Sequence, residues 1–191
     1  MCEHAPPVDA ARRGAPEACR SAKGQTMRAW ILMLGMTIIC SCAPQPDPSV
    51  VLQDAKRATN EGRYDIALSN HIWLHEHALS VDKHFYGVRL SFALADWVNL
   101  GNMYSPALDE LKSIRSKKTS QILSGKYNRD IYNDVKSINY YLGDHKATVD
   151  LFKYLDTTKP QYARSVYSLT EAALIHEREY NLASKYITDP L

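Results

Sequence analysis

One short pattern recurs four times between residues 62 and 184, and it sets what the chain can fold into. Gly62-Arg63-Tyr64-Asp65-Ile66-Ala67-Leu68 is followed by Gly101-Asn102-Met103-Tyr104-Ser105-Pro106-Ala107-Leu108. Gly143-Asp144-His145-Lys146-Ala147-Thr148-Val149 and Arg178-Glu179-Tyr180-Asn181-Leu182-Ala183-Ser184 complete the series. The glycines, with Arg178 in place of the last, lie 39, 42 and 35 residues apart. A run with apolar residues at helical spacing stands before each of them and another stands after it. No sustained apolar–polar alternation and no Asn-Gly or Asp-Gly pair interrupts the stretch, which argues against strands and β-hairpins.

The pattern predicts an all-α domain over 50–191 made of antiparallel helical hairpins. Turns are expected at Gly62, Gly101, Gly125 and Gly143, where glycine permits a tight reversal. Pro106 and Pro160 mark helix starts, with Ser105 and Asp144 as N-caps. Ala67, Ala107 and Ala183 are small enough for paired helices to approach closely. One hairpin cannot bury its apolar face alone, whereas stacked hairpins share a continuous core.

The repeat resembles the tetratricopeptide repeat (TPR), a unit of helix, tight turn and helix. The third unit matches best, with Gly143-Asp144 at the turn, Phe152 in its second helix and Pro160 at its end. Gly62, Tyr64 and Ala67 match in the first unit, and Tyr167, Tyr180 and Ala183 in the fourth. The departures are one extra residue in the second turn, Thr148 in place of a small residue, and an insertion over 115–126. The resemblance implies about four units stacked as a right-handed solenoid that binds a peptide or helix on the face lined by each unit's first helix. Residues expected on that face are Arg57, Arg89, Asp96, Asn99, Lys136, Asn139, Tyr140, Arg164 and Glu171. No Gly-rich phosphate loop, nucleophile elbow or Cys-His pairing follows Cys42, so a binding protein and not an enzyme is expected, with no cofactor.

The front of the chain is a different object. All four cysteines, Cys2, Cys19, Cys40 and Cys42, precede residue 43, and all 12 tyrosines follow residue 60. Met27-Arg28 precedes an apolar run of 11 residues, Ala29 to Ile39. A bilayer-spanning helix needs about 20 apolar residues and a signal-peptide core roughly 7–15. Residues 27–41 therefore read as a signal peptide. The ending Ile39-Cys40-Ser41-Cys42 resembles the bacterial lipobox, which implies cleavage before Cys42 and acylation of that residue. The resemblance implies a lipid-anchored protein facing the periplasm. Ala43, where an Asp would favour the inner membrane, tilts the expectation towards the outer one. Residues 1–26 carry no apolar periodicity and read as a leader outside the fold or a start upstream of the true one at Met27. Residues 42–49, with Pro44, Pro46 and Pro48, read as a stiff tether of roughly 20 Å.

Residues 42–191 carry 18 basic and 18 acidic side chains. That balance argues against nucleic acid as a partner, which needs a clear basic excess on one face. The partner expected is another envelope protein or peptide, beside the bilayer reached through Cys42. The chain ends directly after its last helix, so Tyr186 and Ile187 leave self-association through the C-terminal helices open.

Only one cluster hints at metal chemistry. His71 and His75 are four residues apart, with His84 further on, and would share a helix face as zinc-binding pairs do. A metal-binding or hydrolytic protein is the alternative this cluster raises. Ile72 stands where the zincin pattern needs Glu, and the repeat places His71 at a core position, so a packed histidine is the expectation and no metal is assigned. Asp109-Glu110 and the run Lys112, Arg115, Lys117, Lys118 read as ordinary helix surface.

Overall fold

Helix ends organise the molecule. A computed structural model describes residues 45–187, and they contain nine α-helices, one 3₁₀ turn and no strand. Helix α1 (Pro48–Asn60) starts where Asp47 accepts a hydrogen bond from the Ser49 amide at 2.7 Å, and its apolar face is Val51, Leu52, Ala55 and Ala58. Helix formation thus begins inside the segment expected as tether, because Pro48 suits the first helical turn.

At Gly62 the chain enters the left-handed region with φ 74°. The Arg63 amide then reaches back to the Ala58 carbonyl at 2.8 Å and the Gly62 amide to Thr59 at 3.1 Å. This pair of bonds is the Schellman closure, which satisfies carbonyls that a helix end would leave bare. It recurs at Gly125, at Gly143 and at Arg178, where Lys126, Asp144 and Glu179 donate to Gln121, Asn139 and Leu174. Arg178 does this with φ 61°, a backbone state that glycine adopts more cheaply.

The remaining elements are α2 (Tyr64–Val81), the 3₁₀ turn Lys83–Phe85, α3 (Tyr86–Arg89) and α4 (Phe92–Met103). They continue with α5 (Ser105–Leu123), α6 (Arg129–Tyr141), α7 (His145–Thr158), α8 (Pro160–His176) and α9 (Tyr180–Ser184). Helix α1 packs on α2, α4 on α5, α5 on α6, and α7 on α8. The connections are short, so neighbours run antiparallel.

Three expectations are corrected. Gly101 lies inside α4 and makes no turn; it lets α5 approach, since a Cβ there would meet the Leu108 Cβ at 3.0 Å. Ser105 makes no capping bond, because it is already the first residue of α5 and Tyr104 flanks it. Of residues 115–126, expected as an insertion, 115–123 simply prolong α5. Asp144 does cap α7, accepting from the Ala147 amide at 3.2 Å, and Pro160 does open α8.

The apolar interior forms three neighbouring clusters. Val51, Leu52, Leu74, Ala78, Phe85 and Ala93 make the first, and Trp97, Leu100, Leu111 and Ile138 anchor the second. Phe152, Leu155, Val166 and Leu174 anchor the third. Ala67 and Ala107 are fully buried and Ala183 nearly so, as helix–helix contact demands.

Candidate functional site

Arg89 sits at the centre of the most heavily charged buried site. The Asp82 side chain accepts from the His84 amide at 2.8 Å, which starts the 3₁₀ turn, and α3 ends after one turn. This break between α2 and α4 turns Arg89 inward, where it is 4% exposed. Its Nη1 donates to the His75 carbonyl at 3.1 Å and lies 3.3 Å from the His75 ring. Its Nη2 donates to Asp134 Oδ1 on α6. Lys118 Nζ, from the prolonged α5, donates to the other oxygen of Asp134 at 2.6 Å. The Nε of Arg89 is buried without a partner.

Burial, with Arg89 and Lys118 acting in the same direction and Asp134 opposing, brings the His75 pKa down to about 3. His75 is therefore neutral near pH 7, and its 4.0 Å approach to Asp134 is not an ion pair at that pH. The charged set reduces to Arg89 and Lys118 around one carboxylate. Two cations on one anion leave net positive charge at the floor.

Above this floor opens a cleft of about 580 Å³. Helix α2 contributes Glu76 and Leu79, α5 contributes Glu110, Ser113, Lys117 and Gln121, and α6 contributes Asp130 and Ile131. The rim therefore bears both signs of charge. Asp130 accepts from the Tyr86 hydroxyl at 3.3 Å, and Asn133 donates to that hydroxyl at 2.9 Å. Neither Glu110 nor Lys117 has an ion-pair partner among the described residues.

A second pocket, of about 340 Å³, lies between α6, α7 and α8 and is lined by Lys136, Tyr140, His145 and His176. A third pocket holds Arg164 beside Tyr186 and Asp156.

No family model, curated protein or solved structure matches this chain. Its chemistry rests on the geometry alone.

The nine residues expected on one face are not gathered into one groove. Arg89 belongs to the cleft, Lys136 and Tyr140 to the second pocket, and Arg164 to the third. Asn139 is buried, donating to Thr148 Oγ1 at 3.0 Å and accepting from Arg115 at 3.2 Å. Arg57 pairs with Asp54 and Asp96 with Lys56, while Asn99 and Glu171 stand on exposed surface.

His71 is buried and stacked on Trp97 at 5.6 Å between ring centroids, with neither ring nitrogen bonded. Burial, with Lys56 nearby, pushes its pKa down to about 4. His84 is exposed, and no three His, Cys, Asp or Glu side chains converge as metal ligands among the described residues. Tyr186, expected as part of a bare end, is instead 8% exposed, stacked on Tyr167 at 5.1 Å and donating to Asp156 at 2.6 Å. Ile187 beside it is exposed. Cys42 and the signal segment lie outside the described residues, and no described helix is long and apolar enough to cross a membrane.

Glu110, Lys117 and Lys118 are the cleft residues that sequence reading passed over as plain surface. Their spacing of seven and eight along α5 puts them on one helix face, and that was the available signal.

Proposed function

We propose that this chain is a TPR-like adaptor of the bacterial cell envelope, anchored by acylated Cys42 and facing the periplasm. The outer membrane is the favoured side. Its units are α1/α2, α4/α5, α6/α7 and α8/α9, stacked as a right-handed solenoid. The same turn closure within α1/α2, α6/α7 and α8/α9 supports a repeated unit, with α4/α5 departing from it at Gly101, and the α3 break with the longer α5 accounts for the uneven spacing.

The observation that carries the adaptor reading is the cleft with its buried ionic floor. A desolvated Arg89–Asp134 pair is costly unless it is geometrically well held, and here it holds three helices in register beneath an open, mixed-charge rim. A rigid rim of both signs suits a folded or extended protein segment with complementary charges, and suits nucleic acid poorly.

A photo-crosslinking amino acid at Gln121, inside the cleft, tests the reading in intact cells. The expected result is one recurrent envelope protein, absent when the crosslinker sits at exposed Ser168. The adduct is expected to disappear when Glu110→Lys and Lys117→Glu reverse the rim charges. Identical adducts from both positions would overturn the adaptor reading. Cys42→Ala is expected to move the protein from the membrane fraction to the soluble one, and unchanged fractionation would overturn the lipid anchor.

A further inference from the structure

The pocket between α6, α7 and α8 has a composition unlike the cleft. Its wall is a run of ring contacts. Tyr140 meets His145 edge-on at 5.6 Å and the His145 and His176 rings lie 4.0 Å apart, while Tyr141, outside the pocket, meets Tyr140 edge-on at 5.2 Å. Its base is small, Ala172 and Ala173, with Thr148 already satisfied by Asn139. The Tyr140 ring is 56% exposed although it has aromatic neighbours on one side, so its outer surface is open to a further ring.

Lys136 is the one permanently charged residue lining this pocket. No carboxylate pairs with it among the described residues. The nearby Glu177 is engaged by His176 Nδ1 at 3.0 Å. An ammonium group beside an open aromatic wall has two complements, an anion and a π face, and one ligand can supply both. At about 340 Å³ the pocket is at the small end of ligand sites, suited to one side chain and its neighbour.

We infer that this pocket docks an acidic–aromatic segment of a partner protein, the aromatic ring packing on Tyr140 and His145 and the adjacent carboxylate meeting Lys136. The inference rests on the adaptor reading and gives it a chemical specificity. Ring packing against Tyr140 follows from the edge-to-face preference of aromatic pairs. The carboxylate selects among aromatic segments, since a basic neighbour would face Lys136 with like charge.

The test uses two probes, acetyl-Phe-Asp-amide and acetyl-Phe-Lys-amide, titrated into the detergent-solubilised full-length chain. The readout is the NMR ring signals of His145 and His176, with exposed His84 as the internal control. The acidic probe is expected to shift the two pocket histidines saturably, to leave His84 unmoved, and to bind roughly fivefold tighter than the basic probe. Lys136→Glu is expected to reverse that preference. Tyr140→Ala removes an exposed ring and is expected to weaken both probes about tenfold. No saturable shift, equal affinity for the probes, or a preference unchanged by Lys136→Glu would each overturn the inference. Failure of the adaptor reading is separate, because it shows as a lack of cleft-specific adducts in cells whatever the probes do.

Discussion

Arg89 and Asp134 are 45 residues apart in sequence and meet in a contact from which solvent is excluded. Asp134 is shared with Lys118, so one carboxylate joins α3, α5 and α6. Asp134→Ala leaves a buried guanidinium without its anion, and an expected loss of about 3–5 kcal/mol follows from stranding a buried charge. The double change Arg89→Met with Asp134→Leu removes both charges and is expected to be closer to wild type than Arg89→Met or Asp134→Leu alone. Urea unfolding of the three variants checks this, and strictly additive losses would show that the pair is not coupled.

Acid is expected to weaken the fold through its buried histidines. His71 binds a proton with pKa about 4 when folded and near 6.5 when unfolded. Between those values the unfolded chain holds more protons, so stability is full above pH 6.5 and falls as pH drops towards 4. His75, with pKa about 3 when folded, adds to the same trend. Each histidine contributes a slope of up to about 1.4 kcal/mol per pH unit. His71→Phe keeps the stack on Trp97 and removes one titration, so it is expected to lose about 2 kcal/mol less than wild type on going from pH 7 to pH 5. Equal losses in denaturation at the two pH values would refute the assignment.

Gly101→Ala weighs two opposed effects. Alanine is better than glycine inside a helix by about 1 kcal/mol. The added Cβ would lie 3.0 Å from the Leu108 Cβ and 3.3 Å from the Leu108 backbone nitrogen, and backbone does not yield as a side-chain tip does. Overpacking costs about 1–3 kcal/mol, so a net loss near 1 kcal/mol is expected. A higher melting temperature for the variant would mean that α5 slides away freely.

At Arg178 the balance reverses. Its φ of 61° strains any side chain with a Cβ, and it holds the turn between α8 and α9. Arg178→Gly relieves that strain and loosens the unfolded chain, for an expected net gain of about 0.5–1 kcal/mol. Calorimetry of this variant showing no gain would place the strain elsewhere.

Local chemistry was legible in the sequence and long-range chemistry was not. The turns at Gly62, Gly125 and Gly143, the substitute at Arg178 and the Asp144 cap are decided within a few residues, so they could be read directly. Gly101 carries the same residue type for a different reason, the approach of α5, which only tertiary structure reveals. Helical spacing placed Arg89 on a binding face, but the short break around α3 turns it under α6 to meet Asp134. Neither partner carries a sequence mark of the other. Asn139 was misplaced for the same reason: its amide is spent on Thr148 and Arg115.

The repeated turn closure has a mechanical consequence. Each such turn is closed by backbone bonds between residues five or fewer apart, so the turn itself carries force only locally. A chain pulled from its ends would peel open one hairpin at a time, and most of those steps would be soft. The Arg89–Asp134–Lys118 knot bridges segments distant in sequence, so it must shear as a whole before α3 can leave α6. It would act as a latch, setting the load at which the first half of the molecule parts from the second.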